Sequence, residues 1–467
     1  MSENNTTHSF DSSIPMLTNP VAPLFIRMAL PIIFGLMING LFNFVDAIFI
    51  SRAVGTDAIG GVSAAFPIQM IMISISAMLG SGMASIISRR LGAKQDDEAS
   101  MVFNASLVLA ALVGLALSIV IVFFRYEIFY LLELPAALIP YAIDYLTPIA
   151  AIGLISFCHG SMSEGLRAQG QNIQVFKLMA SMALINIALD ALFLFVFGWG
   201  VPGAAWATAL SITAAFFYAI YLLKTNNNRI SFNLHHFKFM PSVHKEAIAL
   251  GIPVFLSYTG FAMMLLSVNV VLVKVAGENA QLLISAHGIL NRTFMLIFLP
   301  ILGMMIAFQT FAGFNYCAQR YQRVIEVLKV ALIISTGYAL VWSIIMLTES
   351  EYVFQLFSQD QALIEAASEI AGIVFIGFIT TGIAMICPAL FQALGFAKPA
   401  ALLNTLHNYI LLLPALWLCS SLYGVRGIWW TFPLIDAITA IIICLYTWRF
   451  IKELGLRAMT EESCCRS

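Results

Sequence analysis

Asp46 and Asp190 stand inside runs that are otherwise continuously apolar. A carboxylate near the centre of a bilayer costs roughly 2.5–3.5 kcal/mol even on the mildest scale, so one kept there points to function. Asn39 and Asn43 precede Asp46 at helical spacing, which puts all three on one face. Asn186 lies four residues before Asp190 and shares its face, and Thr208 stands in the next apolar run. A single mid-span Asn or Thr is more often a helix–helix hydrogen bond than a ligand. Two carboxylates, a carboxamide and a hydroxyl together form an oxygen set suited to Na⁺, a hard cation. A carboxyl pair held away from water also serves to exchange protons. Asp144 and Glu164 lie toward the ends of their runs, where a side chain can reach water. Asp436 sits deeper, as a second site or a buried structural partner.

The elements that must hold these residues are membrane helices. The chain has 467 residues, 61% of them hydrophobic and only 10% charged, with a net charge of −1. A soluble domain carries about 25% charged residues. The composition excludes an ordinary soluble enzyme, a disordered chain and a nucleic-acid binder. Twelve runs approach the ~20 apolar residues a membrane helix needs. They lie near 24–50, 59–88, 101–124, 138–163, 173–197, 201–223, 247–275, 282–312, 324–348, 362–394, 398–420 and 427–450. The runs do not alternate, which excludes a β-barrel. Several contain proline, Pro31, Pro148 and Pro388 among them, and are expected to kink. With both termini inside, eighteen of the 23 Lys and Arg fall on the cytoplasmic side, and the even span count follows from that asymmetry. The seven cysteines form no CxxC or Cys/His cluster, so neither zinc nor a disulfide framework is expected. Met1–Asn19 is polar without a signal-peptide pattern, and Cys464-Cys465 reads as part of a reduced cytosolic tail.

The hydrophilic connector 224–246 divides the runs six and six, and the halves echo one another. Met28-Ala-Leu-Pro31 matches Leu250-Gly-Ile-Pro253, Ala168-Gln-Gly170 matches Ala393-Leu-Gly395, and Gly200-Val-Pro-Gly203 matches Gly424-Val-Arg-Gly427. The near-constant offset marks an internal repeat in parallel topology, a plan common among transporters. The expected organisation is an all-α integral membrane protein of twelve helices in two pseudo-symmetric six-helix lobes. A cytoplasmic tail (1–23), a first lobe (24–223), a linker (224–246), a second lobe (247–450) and a cytoplasmic tail (451–467) follow in order. Carried across the repeat, Asp46 meets Asn269 and Asp190 falls near Pro414. The second half keeps His287, Asn291, Arg292, Gln309 and His407 but no evident paired acid, so ion chemistry is expected in the first lobe alone. His287 and Arg292 are expected to hydrogen-bond within the bundle.

At these residues the chain resembles the multidrug and toxic compound extrusion (MATE) family over nearly its whole length. Pro31 through Asn43-Phe-Val-Asp46 is similar to the family's bent first helix with its acid. Ser88-Arg-Arg-Leu-Gly-Ala-Lys94 resembles its basic loop, and Asn186-Ile-Ala-Leu-Asp190 and Gly200-Val-Pro-Gly-Ala-Ala-Trp-Ala-Thr208 its fifth- and sixth-span motifs. The resemblance is to the DinF-like and MepA-like branch. It implies H⁺ or Na⁺ binding at Asp46, Asn186, Asp190 and Thr208, with Asn43 and Tyr145 as neighbours and Pro31 as a helix hinge. Acids that another branch places in spans seven and ten are missing from 247–275 and from span ten proper, about 370–394. The expected activity is antiport of amphipathic, cationic organic compounds, without cofactor, catalytic residue or nucleic-acid partner. The expected setting is a monomer in lipid in a bacterial inner membrane. The Phe- and Met-rich composition (36 and 21 residues) suits ligands of varied shape. Two other readings of the mid-span charges are a lipid-linked sugar flippase, which favours a basic cavity, and an intramembrane aspartyl protease. The contexts Phe-Val-Asp46 and Ala-Leu-Asp190 lack the sequence pattern usual for such a protease.

Overall fold

The apolar runs become helices of membrane length in a computed structural model of the chain, which describes residues 17–53, 56–131, 139–225, 228–232, 239–355 and 360–464. The first half contributes α1 (Val21–Ala53), α2 (Thr56–Gly92), α3 (Asp96–Phe123), α4 (Arg125–Leu131), α5 (Ile139–Ala151), α6 (Gly153–Ala168), α7 (Asn172–Asp190) and α8 (Gly200–Thr225). The second contributes α9 (Pro241–Val275), α10 (Ala280–Cys317), α11 (Tyr321–Thr348), α12 (Ser350–Gln355), α13 (Gln361–Phe378), α14 (Thr381–Ala393), α15 (Ala397–Thr405) and α16 (Leu413–Cys464). No strand occurs among the described residues. In lipid this is expected, because a helix satisfies its own backbone while an open sheet edge does not.

Ten helical runs are long and apolar enough to cross a membrane. Helices α5 and α6, bent by 58° at Ile152, make one further broken span. Pro148 removes a backbone donor just before the bend, and Gly153 weakens the turn just after it. The run from Ala397 to Glu453 is 57 residues, far more than one span needs. Within it Gly424 takes φ 59°, ψ −140° and divides the run in two. Twelve passes result, as the runs require. Expectation and structure differ in detail at span ten, where α13 and α14 meet at a break at Ile379–Thr380. Pro31, by contrast, sits inside an unbroken α1.

The repeat is visible in the backbone. Left-handed φ recurs at Lys94 and Gln319, at Gly170 and Gly395, and at Gly200 and Gly424, pairs that are 224 or 225 residues apart. The first of these pairs is not glycine and carries no sequence signal. Among the described residues each half also holds one π-helical segment, Ala191–Val196 after α7 and Leu406–Leu412 after α15.

The two lobes meet through the first two long helices of each half. α2 lies against α9 and α10, and α1 lies against α10. The contact of α2 with α9 is backbone to backbone. A Cβ at Gly82 would collide with the Ala247 carbonyl, and one at Gly251 with the Met78 carbonyl. Small residues at such a crossing let helices gain van der Waals contact where lipid supplies no hydrophobic drive. Polar bonds reinforce the same end. Gln392 Nε2 donates to the Leu250 carbonyl at 2.7 Å, and Ser85 Oγ donates to the Gln392 carbonyl at 2.7 Å. Gln309 Nε2 donates to Gln392 Oε1 at 2.6 Å, and Arg89 pairs with Glu246 at 2.7 Å. Two of these bonds join the lobes, Ser85 to the Gln392 carbonyl and Arg89 to Glu246, at the end of α2, while the Gln392 side chain ties α14 to α9 and α10 within the second lobe.

Part of the connector is strapped to the first lobe. Gln169 Oε1 accepts from both the Arg229 and Ile230 N–H groups, at 2.9 and 3.1 Å, and Ile230 is fully buried. Arg229 pairs with Asp96 and lies over the Phe314 ring of α10, 5.8 Å from its centroid.

Candidate ion-coupling site

Helix α7 carries Asn186 and Asp190 one turn apart on the face toward α8, where Thr208 stands. Asn186 Nδ2 donates to Thr208 Oγ1 at 3.4 Å. The three are buried: Asp190 is 0% exposed, Asn186 1% and Thr208 7%. Asn186 Oδ1 is enclosed without a hydrogen-bond partner among the described residues. A buried carbonyl oxygen without a donor is costly, and a cation would satisfy it. The donors are all hard oxygens, and no cluster of three or more His, Cys, Asp or Glu occurs among the described residues. That set fits a monovalent ion or a proton better than zinc or another transition metal.

The backbone turns into the π segment immediately after Asp190. Such segments are short insertions in a helix and gather at functional sites. Here it throws Phe195 toward α1, where the ring meets Phe49 edge to face with centroids 5.2 Å apart. Phe49 follows Asp46 by one turn, so the Asp46 turn of α1 adjoins the end of α7. The side chains of Asn39, Asn43 and Asp46 lie outside the described residues. Tyr145 is buried on α5, a helix that packs against α8. Its neighbour Asp144 is exposed, in keeping with a place near a span end.

Two expectations need correction. Glu164 turns inward between the lobes rather than out at a span end. It pairs with Arg167 one turn on, and both line a small polar space between the lobes with Ser85, Gln309 and Gln392. The second lobe is also not without a paired acid. His407 Nε2 lies 3.6 Å from Asp436 Oδ1. The two are 29 positions apart on different elements, and only the packing of α16 on the π segment joins them. His287 behaves as expected, buried and bonded to Asn291 Nδ2 at 3.1 Å. Arg292 does not, since it is exposed.

Similarity to known proteins agrees with this architecture. A profile of the MatE family matches residues 31–192 and again 253–418, one match in each lobe. The chain is 26% identical over 426 residues to the multidrug export protein MepA of Staphylococcus aureus, covering 91% of this chain and 92% of the relative. It is 25% identical over 420 residues to the MepA of Staphylococcus haemolyticus, covering 89% and 90%. Among solved structures it superposes on a MATE transporter in complex with MaL6 with a TM-score of 0.89 at 23% identity, covering 95% of this chain and 99% of that one. An outward-facing multidrug resistance MATE transporter of the MOP superfamily gives 0.88 at 23% identity, covering 95% and 98%. With twelve passes in two lobes and a family match across both, the chain belongs to the MatE family, multi-pass transporters of the cell membrane and not enzymes.

Proposed function

We propose that the protein is a secondary active antiporter that exports amphipathic organic cations in exchange for H⁺ or Na⁺. The observation that carries the reading is the fully enclosed Asp190 beside Asn186 and Thr208, with the Asp46 turn of α1 adjoining it through Phe49 and Phe195. The coupling ion binds Asp46, Asn186, Asp190 and Thr208, with Asn43 and Tyr145 beside them. No further cofactor takes part. The lobes are 24–223 and 247–450, joined by 224–246, and both termini are cytoplasmic. The polar lock at Gln392 and Arg89–Glu246 then closes the cytoplasmic side.

In this reading, ion binding neutralises the first-lobe carboxylates and lets α1 repack about Pro31. Because α1 lies along α10 and α7, its movement changes both the first-lobe cavity and the interface between lobes. Coupling demands that the ion bind one state more tightly than the other, since equal affinity shifts nothing. The export of drugs by the MepA relatives supports an outward direction for the substrate.

The test is efflux of ethidium from proteoliposomes under an imposed Na⁺ gradient and, separately, a proton gradient. One gradient should drive efflux. Asp46→Asn and Asp190→Asn should each abolish the driven component while the protein still elutes as a single folded species. Driven efflux retained in both variants would remove these residues from coupling.

A further inference from the structure

The second lobe contains a titratable pair that the coupling reading does not use. His407 stands on the π segment Leu406–Leu412, and Asp436 and Thr439 stand one turn apart on α16. His407 Nε2 lies 3.6 Å from Asp436 Oδ1, and His407 Nδ1 lies 3.3 Å from Thr439 Oγ1. Gly377, near the end of α13, packs on the far side of the carboxylate, where a Cβ would collide with Oδ2.

Several features separate this arrangement from an ordinary hydrogen bond in a bundle. The side chains of both partners are partly exposed, 25% and 23%, whereas Asp190 is buried. The Thr439 hydroxyl accepts from a protonated Nδ1 and donates to a bare one, so the imidazole stays partnered with one proton or two. His407 is also the only histidine paired with an acid among the described residues. His287 meets the Asn291 amide and His244 the Ala105 carbonyl. With one proton shared, the pair is neutral. Gaining or losing one leaves a net charge in a medium of low dielectric, which the surrounding helices must feel. His407 rides on a π segment, an irregular turn of the kind often found at functional sites.

The groups around the pair leave it to itself. On α13, Glu365 and Glu369 are exposed, about three and two turns before Gly377. Helix α14 brings Cys387, buried against Ile443 one turn beyond Thr439. On α9, Tyr258 precedes Thr259, whose hydroxyl meets the Tyr409 hydroxyl of the π segment at 2.6 Å. On α11 the Tyr338 hydroxyl donates to the Ile297 carbonyl, and on α15 Lys398 is exposed. His287 packs on Trp429, two turns before Asp436. No lysine or arginine forms an ion pair with Asp436 among the described residues.

We propose that His407 and Asp436 form a proton-binding dyad in the second lobe, separate from the Asp190 site. A proton taken from water is held on Nε2 or the carboxylate and returns to water on release. The dyad does not depend on the antiport reading, because it is measured without gradient or substrate.

The protein has seven histidines, few enough for ¹⁵N-histidine labelling of the intact chain in detergent, with His407→Gln assigning the resonance. Between about pH 5 and about pH 9 the His407 nitrogens should move from doubly to singly protonated positions. In Asp436→Asn the midpoint should be displaced by about one pH unit or more. Nitrogens that stay fixed across the range, or a midpoint unmoved in an Asp436→Asn protein that elutes like the parent, would overturn the dyad. If Asp436→Asn fails to fold, Asp436→Ser, a smaller neutral side chain, takes its place, and a displaced midpoint supports the dyad while an unmoved one overturns it. Asp190→Asn should leave the His407 titration in place, so loss of efflux in that variant bears on the first-lobe site alone.

Discussion

Phe49 of α1 meets Phe195 of the π segment edge to face, with ring centroids 5.2 Å apart. This contact ties the helix that carries Asp46 to the turn that follows Asp190. An edge-to-face pair contributes about 0.5–1.5 kcal/mol beyond its buried area. Phe49→Ala and Phe195→Ala should therefore each lower thermal stability, and the double variant should lose less than the two losses added. Purely additive losses would mean that the rings do not act together.

Asn186 and Thr208 make the second prediction. Asn186→Ala removes both the bond to Thr208 and the enclosed Oδ1. A lost ligand of about 1.4 kcal/mol is a tenfold change in affinity. The ion concentration for half-maximal efflux should rise by roughly that factor. Thr208→Ser keeps the oxygen and should stay near the parent. An unchanged ion dependence in Asn186→Ala would assign Asn186 to helix packing.

Gln392 is the hub of the lobe lock, bonded to Ser85, Gln309 and Leu250. Its side chain ties α14 to α9 and α10 within the second lobe, whereas its backbone carbonyl takes the bond from Ser85 across the lobes, so Ser85→Ala should weaken the closed end by about 1–3 kcal/mol. Spin labels on the ends of α2 and α14 should then report a larger population of the separated state. The partly exposed Arg89–Glu246 pair should matter less, about 0–1 kcal/mol in Glu246→Ala. A larger shift from Glu246→Ala than from Ser85→Ala would reverse this order.

Gly82 and Gly251 allow α2 and α9 to touch through their backbones. Gly251→Leu has nowhere to place its side chain while Met78 stays where it is. The variant should be driven out of the closed arrangement, and crosslinking of engineered cysteines across α2 and α9 should fall. Undiminished crosslinking would show that the helices part at no cost.

Gln169 holds two N–H groups of the connector on one oxygen. Gln169→Leu leaves both buried donors unpaired, at about 1–3 kcal/mol each. Limited proteolysis should then cut the connector faster than in the parent. An unchanged rate would mean that Arg229–Asp96 alone secures the strap.

The sequence by itself determined the class, the pass count and the duplication. Scarce charge admits only lipid as solvent, apolar runs have a length the bilayer sets, and Gly170 and Gly395 sit where a repeated helix must end. It also singled out Asn186, Asp190 and Thr208, because a polar group in an apolar run carries its cost wherever the helix packs. Only the tertiary structure decided which polar groups meet. The Glu164–Arg167 pair turns inward because α2 and α10 pack over it, not because of its place in the run. His407 finds Asp436 across 29 positions because a π segment re-aims one side chain, and a single inserted residue has no periodicity to read. Lys94 and Gln319 share a left-handed backbone that neither residue type announces. Local rules act over one or two turns, whereas these relationships are set by how helices far apart in the chain come to touch.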